Sequence, residues 1–142
     1  SHGLWNEFAT YVSNIKLFSS RTMQGATSPR FFGNIFLRLP YPSEDSVLFY
    51  LEHIVHETSH LHLFAMMGED PLFLNEENEL FVSPIRPDKR PMMGIFHATF
   101  VLARIAGAFR RYLETHPTNG YAKETLKKTE KSFSEGYDIV KN

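Results

Sequence analysis

The sequence predicts a predominantly helical α+β fold, and three observations support that prediction. Residues 44–67 and 92–114 both carry apolar side chains at the three- and four-residue spacing of an amphipathic helix. The run 31–39 is rich in Phe, Ile and Leu and has the length of a strand. A second short strand is expected at 79–83. We therefore expect two core helices packed together beside one short sheet.

The remaining segments are assigned from their own composition. Apolar residues between 4 and 19 recur at helical spacing, which predicts an amphipathic helix. Residues 21–29 contain glycine, serine and proline, which favour a loop. Residues 69–91 are rich in proline and acidic residues and predict an irregular excursion around the strand 79–83. Residues 121–140 are rich in Lys and Glu and predict a peripheral helix.

Both ends of the predicted helix 44–67 carry capping residues. Ser43 is the expected N-cap, because its hydroxyl can accept a hydrogen bond from a backbone N–H of the first turn. Glu44 and Asp45 are expected in that turn, where the helix dipole favours negative charge. Gly68 suits the position that follows the last turn.

Length and composition limit the classes of protein to which the chain can belong. Its 142 residues fit one domain, 1–142, in a chain that could also be a fragment. An apolar content of 42% and an aromatic content of 14% exclude a disordered chain. A formal net charge of −1 offers no basic surface for nucleic acid, so we expect no nucleic-acid partner.

Three features that the sequence lacks limit the possible classes of protein further. The lack of cysteine excludes disulfides, thiolate metal sites and cysteine nucleophiles. No uninterrupted run approaches the roughly 20 apolar residues of a membrane span. The N-terminus lacks the basic-then-apolar layout of a signal peptide. We therefore expect a cytoplasmic protein with no membrane partner.

The motif that carries chemistry is His56-Glu57-Thr58-Ser59-His60, inside the predicted helix 44–67. Residues four apart lie on one face of a helix, so both imidazoles can bind the same metal ion. Glu57 then lies beside that metal, within reach of a bound water or ligand. Ile54, Val55 and Leu61 flank the motif with apolar side chains, as a packed helix requires. The motif predicts a metal centre.

A catalytic metal needs a third protein ligand, and His97 is the best candidate. It lies on the apolar helix 92–114, where an unpaired imidazole would be costly. The alternative is a core histidine bonded to a backbone carbonyl. Glu76, Glu77 and Glu79 are competing ligands, although loop carboxylates are more often solvated. His53 shares the face of His56 and is either an outer support or exposed.

Arginine placement is the second chemical signal. Arg104 lies two turns after His97 in a stretch that is otherwise apolar or Thr, so it needs an anionic partner. That partner is either a loop carboxylate or the carboxylate of a substrate or cosubstrate. Arg86 and Arg90 precede the same helix and are alternates for the second role.

Three further stretches, taken together with the His-Glu-x-x-His motif, resemble a known family. They are Phe32-Gly33-Asn34-Ile35, Ser83-Pro84-Ile85-Arg86-Pro87-Asp88-Lys89-Arg90-Pro91 and Gly94-Ile95-Phe96-His97. With that motif they resemble the HExxH-motif peptide-modification proteins that accompany ribosomally made peptide natural products. The Arg-Pro-Asp-Lys-Arg-Pro stretch followed by Gly-x-x-His is the more discriminating part, because many zinc peptidases share HExxH.

The resemblance implies an iron(II)- and 2-oxoglutarate-dependent enzyme that hydroxylates a side-chain carbon of a precursor peptide. The three histidines would then bind the iron on one face, and one of the three arginines would bind the distal carboxylate of 2-oxoglutarate. A zinc metallopeptidase is the alternative, with Glu57 as the base that deprotonates a zinc-bound water. A third hypothesis is a structural metal site closed by four protein ligands. The layout is expected to resemble zincins, whose edge strand can hold an extended peptide.

Overall fold

Four α-helices, a three-stranded sheet and a two-stranded hairpin make up the described part of the chain, which confirms the mostly helical α+β class. The structure, a computed structural model, describes residues 2–68, 75, 76, 78–83 and 85–141. In chain order the elements are α1 (His2–Tyr11), β1 (Asn14–Phe18), β2 (Gly25–Ala26), a 3-10 helix (Pro29–Phe31), β3 (Asn34–Arg38), α2 (Ser46–Met67), β4 (Leu80–Phe81), β5 (Arg90–Pro91), α3 (Met92–Thr115) and α4 (Gly120–Lys141).

The chain divides into two compact units, Ser1–Met66 and Met67–Asn142. The first contains α1, the three-stranded sheet and nearly all of α2. The second contains the β4–β5 hairpin, α3 and α4. The predicted single domain 1–142 stays a prediction.

The sheet of the first unit has the strand order β1-β3-β2. β1 runs parallel to β3, and β2 runs antiparallel to it with Gly25 opposite Leu37. Ile35 and Leu37 of β3 are fully buried against Leu61 of α2. Partly buried apolar residues complete this core, namely Phe8, Tyr11, Val12, Tyr50, Ile54 and Phe64. β3 and α2 therefore form the centre of the unit, with the other elements around them.

The predicted helix 4–19 is wrong in its second half. α1 ends at Tyr11, and residues 14–18 form β1 instead. The backbone N–H groups of Ser13 and Asn14 donate to the carbonyl of Gly33 at 2.7 and 3.1 Å. A short apolar run fits helical and strand periods alike, and the hydrogen bonds offered by β3 decide between them. The loop prediction for 21–29 likewise missed the short strand β2.

Gly33 makes the turn that leads into β3. Its φ of 87° lies in the left-handed region, which favours glycine. A Cβ at this position would lie 3.0 Å from the Ser13 Oγ, so a side chain would also crowd the end of α1.

Asp45, not Ser43, caps α2. Its Oδ1 accepts the backbone N–H groups of Val47 at 3.0 Å and Leu48 at 3.1 Å. The helix therefore begins at Ser46, and Glu44 lies outside its first turn, where its carboxylate binds Arg38 instead. The correction matters because Glu44 thereby joins a buried charge network rather than the helix dipole.

The second unit is built on α3 packed against α4, which confirms both predicted helices. The buried residues of α4 are small and lie seven apart, at Ala122, Thr129 and Gly136. This spacing places small side chains along one stripe of the helix, where a neighbouring helix can approach closely. Asn119 caps α4 by accepting the N–H of Ala122 at 2.8 Å.

The predicted strand 79–83 does not join the strand of 31–39 in one sheet. β4 pairs antiparallel with β5, with Leu80 opposite Pro91 and Phe81 opposite Arg90. A strand adjacent in sequence is the nearer partner, because a short connection costs less chain entropy to close.

By length and composition α3 could cross a membrane, and among the described helices it alone passes that test. The core helix of a soluble protein passes it too, and part of the most apolar stretch of α3 is buried inside the structure. The helix therefore carries little weight for or against a membrane.

Candidate metal centre

His56 and His60 lie on one face of α2 with their ring nitrogens close together. The two Nε2 atoms are 3.2 Å apart, a hydrogen bond in which the tautomers decide which ring donates, and the ring centroids are 5.0 Å apart. The helix is held on either side of the pair by the buried Val55 and Leu61. The four-residue spacing predicted from the sequence thus brings both imidazoles to one point.

This separation fits a shared metal ion. Zinc binds imidazole nitrogen at about 2.0–2.1 Å, so two nitrogens 3.2 Å apart subtend roughly 100–105° at the metal. That angle lies between the tetrahedral value of about 109° and the octahedral value of about 90°. The separation of the two nitrogens is therefore compatible with zinc and with an octahedral iron.

The protonation state of His56 also suits a metal ligand. Burial, and secondarily the nearby His53, lower the pKa of His56 to about 4. The ring is therefore neutral at pH 7, and a neutral ring offers a lone pair to a metal.

Glu57, which lies between these two histidines in the sequence, is nearly enclosed. Its side chain is 4% exposed, and burial raises its pKa to about 7. The carboxylate lies against β2, where a Cβ added to Gly25 would be 2.6 Å from the Glu57 Oε1. A carboxyl group with this pKa can take up or release a proton near neutral pH.

The turn of α2 before the histidine pair contains His53 and Glu52. His53 is half-buried, donates its Nδ1–H to the Phe49 carbonyl at 2.8 Å and stacks on the Phe49 ring at 4.2 Å. Since a carbonyl only accepts, this bond fixes the tautomer of His53. Burial raises the pKa of Glu52, one turn before His56.

The predicted third ligand, His97, lies on α3 in the second unit. It is half-buried, and burial lowers its pKa. Its Nε2 is 3.2 Å from the Met67 Sδ, a weak acceptor, rather than bonded to a backbone carbonyl. Within either unit, the described residues contain no group of three His, Asp or Glu placed to hold a metal. The structure thus brings His56 and His60 together, and His97 stays a predicted ligand.

Of the competing loop carboxylates, the structure describes Glu76 and Glu79, and neither belongs to a metal-binding group among the described residues. The Glu79 Oε2 accepts from the Asn75 Nδ2 at 3.0 Å, and the backbone N–H of Glu79 donates to the Glu76 carbonyl. Both Glu76 and Glu79 are exposed. Glu77 lies outside the described residues.

The three predicted arginines all lie in the second unit. Arg104 is half-buried, burial lowers its pKa, and its Cζ lies 5.2 Å from the Phe100 ring centroid. Arg90 pairs with Asp88 at 2.8 Å on the surface, and Arg86 is exposed. Arg104 is thus the most buried of the three.

The most deeply buried charge in the described residues is one that the sequence analysis missed. Arg38, at the end of β3, is 1% exposed and uses all five of its guanidinium N–H groups. They donate to Gln24, Glu44 and the Leu39 carbonyl at 2.6–2.9 Å. The signal was present, since Arg38 interrupts an apolar run just as Arg104 does.

No protein-family model matches the chain, and no curated protein matches it either. The resemblance to HExxH-motif peptide-modification proteins therefore rests on the quoted residues alone and stays a prediction.

Proposed function

We propose that this protein is a metal-dependent peptide-modifying enzyme that uses iron(II) and 2-oxoglutarate to hydroxylate a side-chain carbon of a peptide. The observation that supports the proposal most is the 3.2 Å separation of the His56 and His60 Nε2 atoms, beside the enclosed Glu57. Two imidazoles at this separation supply two of the three protein ligands that a catalytic metal needs, and a buried acid between them in sequence is unusual in a structural helix.

Each residue of the proposed site has a distinct task. Iron would supply the oxidising chemistry once 2-oxoglutarate and dioxygen are present. His56 and His60 hold the metal, and His97 is the proposed third ligand. Arg104 binds the distal carboxylate of 2-oxoglutarate, with Arg90 and Arg86 as alternates (both exposed). Glu57 lies beside the metal face and orients the substrate or a water molecule by hydrogen bonding.

The edge of the sheet offers a place for the peptide, in the manner of zincins. The Arg38 N–H donates to the Gln24 carbonyl, which makes these two residues a hydrogen-bonded pair. Because bonded and non-bonded pairs alternate in antiparallel strands, the N–H and C=O of Gly25 point away from β3. An extended peptide can bind these groups as an added strand next to the carboxylate of Glu57.

A zinc metallopeptidase is the second candidate, and one observation favours it. The pKa of Glu57, raised to about 7, suits a general base that deprotonates a zinc-bound water near neutral pH. In that case Glu57→Gln lowers the rate of peptide cleavage by about 10²–10⁴-fold.

The first experiment is anaerobic. The protein is loaded with iron(II), 2-oxoglutarate is added, and the visible absorption spectrum is recorded. A weak metal-to-ligand charge-transfer band that also forms in His116→Ala, an exposed histidine of the second unit, but not in His60→Ala supports the oxygenase. Bound iron without that band contradicts it, and tightly retained zinc then directs attention to peptide cleavage.

The cosubstrate assignment has its own test. Arg104→Ala should weaken 2-oxoglutarate binding, measured by titrating the same band, because the distal carboxylate loses its cation. A variant that binds 2-oxoglutarate as tightly as the parent would show that Arg104 has another role. Arg110→Ala, on the exposed face of the same helix, is the matched control.

A further inference from the structure

Gly25 comes unusually close to the carboxylate of Glu57. A Cβ at this position would lie 2.6 Å from the Glu57 Oε1 and 3.3 Å from its Cδ. The nearest backbone atom, the Phe36 carbonyl oxygen, would be 3.2 Å away. The φ of Gly25 lies outside the left-handed region, because Gly33 is the only described glycine with a positive φ. What glycine supplies at position 25 is therefore room for the acid rather than an unusual backbone conformation.

β2 is too short to hold its own position. It has two residues, and strands of this length have few ladder hydrogen bonds. The structure ties it to β3 at both ends instead. Before β2, the Gln24 Oε1 accepts from the Arg38 Nε at 2.8 Å and Nη2 at 2.6 Å. After it, the Thr27 Oγ1 donates to the Asn34 carbonyl at 3.1 Å.

Arg38 is itself immobilised. Glu44 binds its Nη1 and Nη2 groups at 2.9 and 2.8 Å in the forked geometry that a guanidinium favours. The guanidinium lies between the rings of Tyr41 and Phe49, with its Cζ 4.1 and 4.4 Å from their centroids. Because the Arg38 guanidinium is held by these contacts, its hydrogen bonds restrain the Gln24 side chain. They thereby restrain Gly25, the next residue in the chain.

We propose that Gly25 is a positioning residue for Glu57, whose carboxylate packs against the Gly25 backbone. Arg38 fixes the position of that backbone through its hydrogen bonds to Gln24. The inference deepens the proposed function, because it matters only where Glu57 acts beside a bound metal. Under it, the position of the carboxylate is set by β2 as well as by α2.

The steric part is tested by a double-mutant cycle in EDTA-treated protein, followed by thermal unfolding. Gly25→Ala lowers Tm by several degrees, roughly the effect of forcing one extra methyl into a packed site. In a Glu57→Asp background the same change costs no more than half as much, because the shorter acid withdraws from the new methyl. In Glu57→Gln, which keeps the length of the side chain, the full loss persists. Equal losses in all three backgrounds would overturn the proposal.

The second part is tested by ¹³C NMR of glutamate side-chain carboxyls and by amide hydrogen exchange, again without metal. Gln24→Ala removes both Arg38–Gln24 side-chain bonds while keeping the Arg38–Glu44 pair. We expect it to move the Glu57 Cδ resonance and to speed exchange at the Ala26 N–H. Arg110→Ala, which breaks an exposed ion pair in the second unit, leaves both signals unchanged.

A Gln24→Ala protein with the parent's Glu57 resonance and Ala26 exchange rate would overturn the Arg38 part of the proposal. Neither test requires metal or substrate. If the parent fails to bind iron or zinc, the proposed function is wrong. The packing of Glu57 against Gly25 is still tested separately by the unfolding, NMR and exchange measurements.

Discussion

The most deeply buried charged residues of the first unit lie deeper than any described in the second. In the first unit, Arg38 of β3 and Glu57 of α2 are both buried. In the second, Arg104 is half-buried, and five ion pairs lie at the surface: Arg90–Asp88, Arg110–Glu130, Arg111–Glu114, Lys128–Glu124 and Lys131–Glu135. Burying a charge is costly unless every polar atom finds a partner, whereas surface pairs contribute little. We therefore expect loss of a buried polar partner in the first unit to destabilise the protein more than loss of a surface pair in the second.

The largest expected effect is on metal binding. His60→Ala should lower the affinity for zinc by about two orders of magnitude or more, because it removes one of two converging ligands. Competition with a chromogenic chelator measures the affinity, and His116→Ala should match the parent. His97→Ala extends the comparison to the second unit: a loss of similar size makes His97 the third ligand, and no loss assigns metal binding to the first unit alone.

Removing the buried guanidinium should cost the most stability. Arg38→Met keeps much of the side-chain volume but leaves Glu44 and Gln24 without their partner, so we expect Tm to fall on the order of 10 °C. Arg38→Lys should recover only part of the loss, because an ammonium cannot make the forked pair. Scanning calorimetry measures the Tm of both variants. A fall of only a degree or two in Arg38→Met would mean that the buried Arg38 network stabilises the protein no more than a surface ion pair does.

Acid should weaken the first unit through Glu44. The hydrogen bonds from Arg38 first, then from the Tyr41 N–H, lower the pKa of Glu44 below its ordinary 4.5. Because the folded-state pKa is the lower one, the stabilisation is complete above about pH 4.5 and is lost as the pH falls through the folded-state value. Denaturant unfolding between pH 7 and pH 3 should show this loss in the parent. Glu44→Gln should be less stable at pH 7 and show a shallower fall.

A smaller effect, of opposite sign, is expected at Thr58. Its Oγ1 is buried and has no hydrogen-bond partner among the described residues, whereas the Thr99 Oγ1 donates to the Ile95 carbonyl at 2.8 Å. Thr58→Val should therefore stabilise the protein by about 1 kcal/mol, and Thr99→Val should not. Urea unfolding measures both variants. A destabilised Thr58→Val would mean that this hydroxyl does find a partner.

The smallest effect is expected at the surface of the second unit. Arg110 pairs with Glu130 at 2.7 Å, but both side chains are largely exposed. Arg110→Ala should change the free energy of unfolding by less than about 1 kcal/mol, and added salt should reduce even that. A larger loss in the free energy of unfolding would mean that the Arg110–Glu130 pair stabilises the protein as strongly as a buried pair does.

Local pattern was enough to predict much of the molecule. The helices at 44–67, 92–114 and 121–140 follow from apolar spacing, and all three are confirmed to within a few residues. The convergence of His56 and His60 follows from the helical repeat alone, because residues four apart share a face wherever the helix is placed. Burial of Arg104 was also expected from its apolar neighbours, and it is half-buried.

Tertiary structure decided what depends on partners distant in the chain. Residues 14–18 form a strand because β3 supplies hydrogen bonds that a helix over the same apolar run would not use. Arg38 is tolerated in the core because Gln24 and Glu44, 14 and 6 residues away, converge on it. The close approach of Gly25 to Glu57 joins two elements that no local period relates. Helical spacing is a property of neighbouring residues and can be read from sequence, whereas strand pairing, charge burial and close packing exist only once distant segments meet.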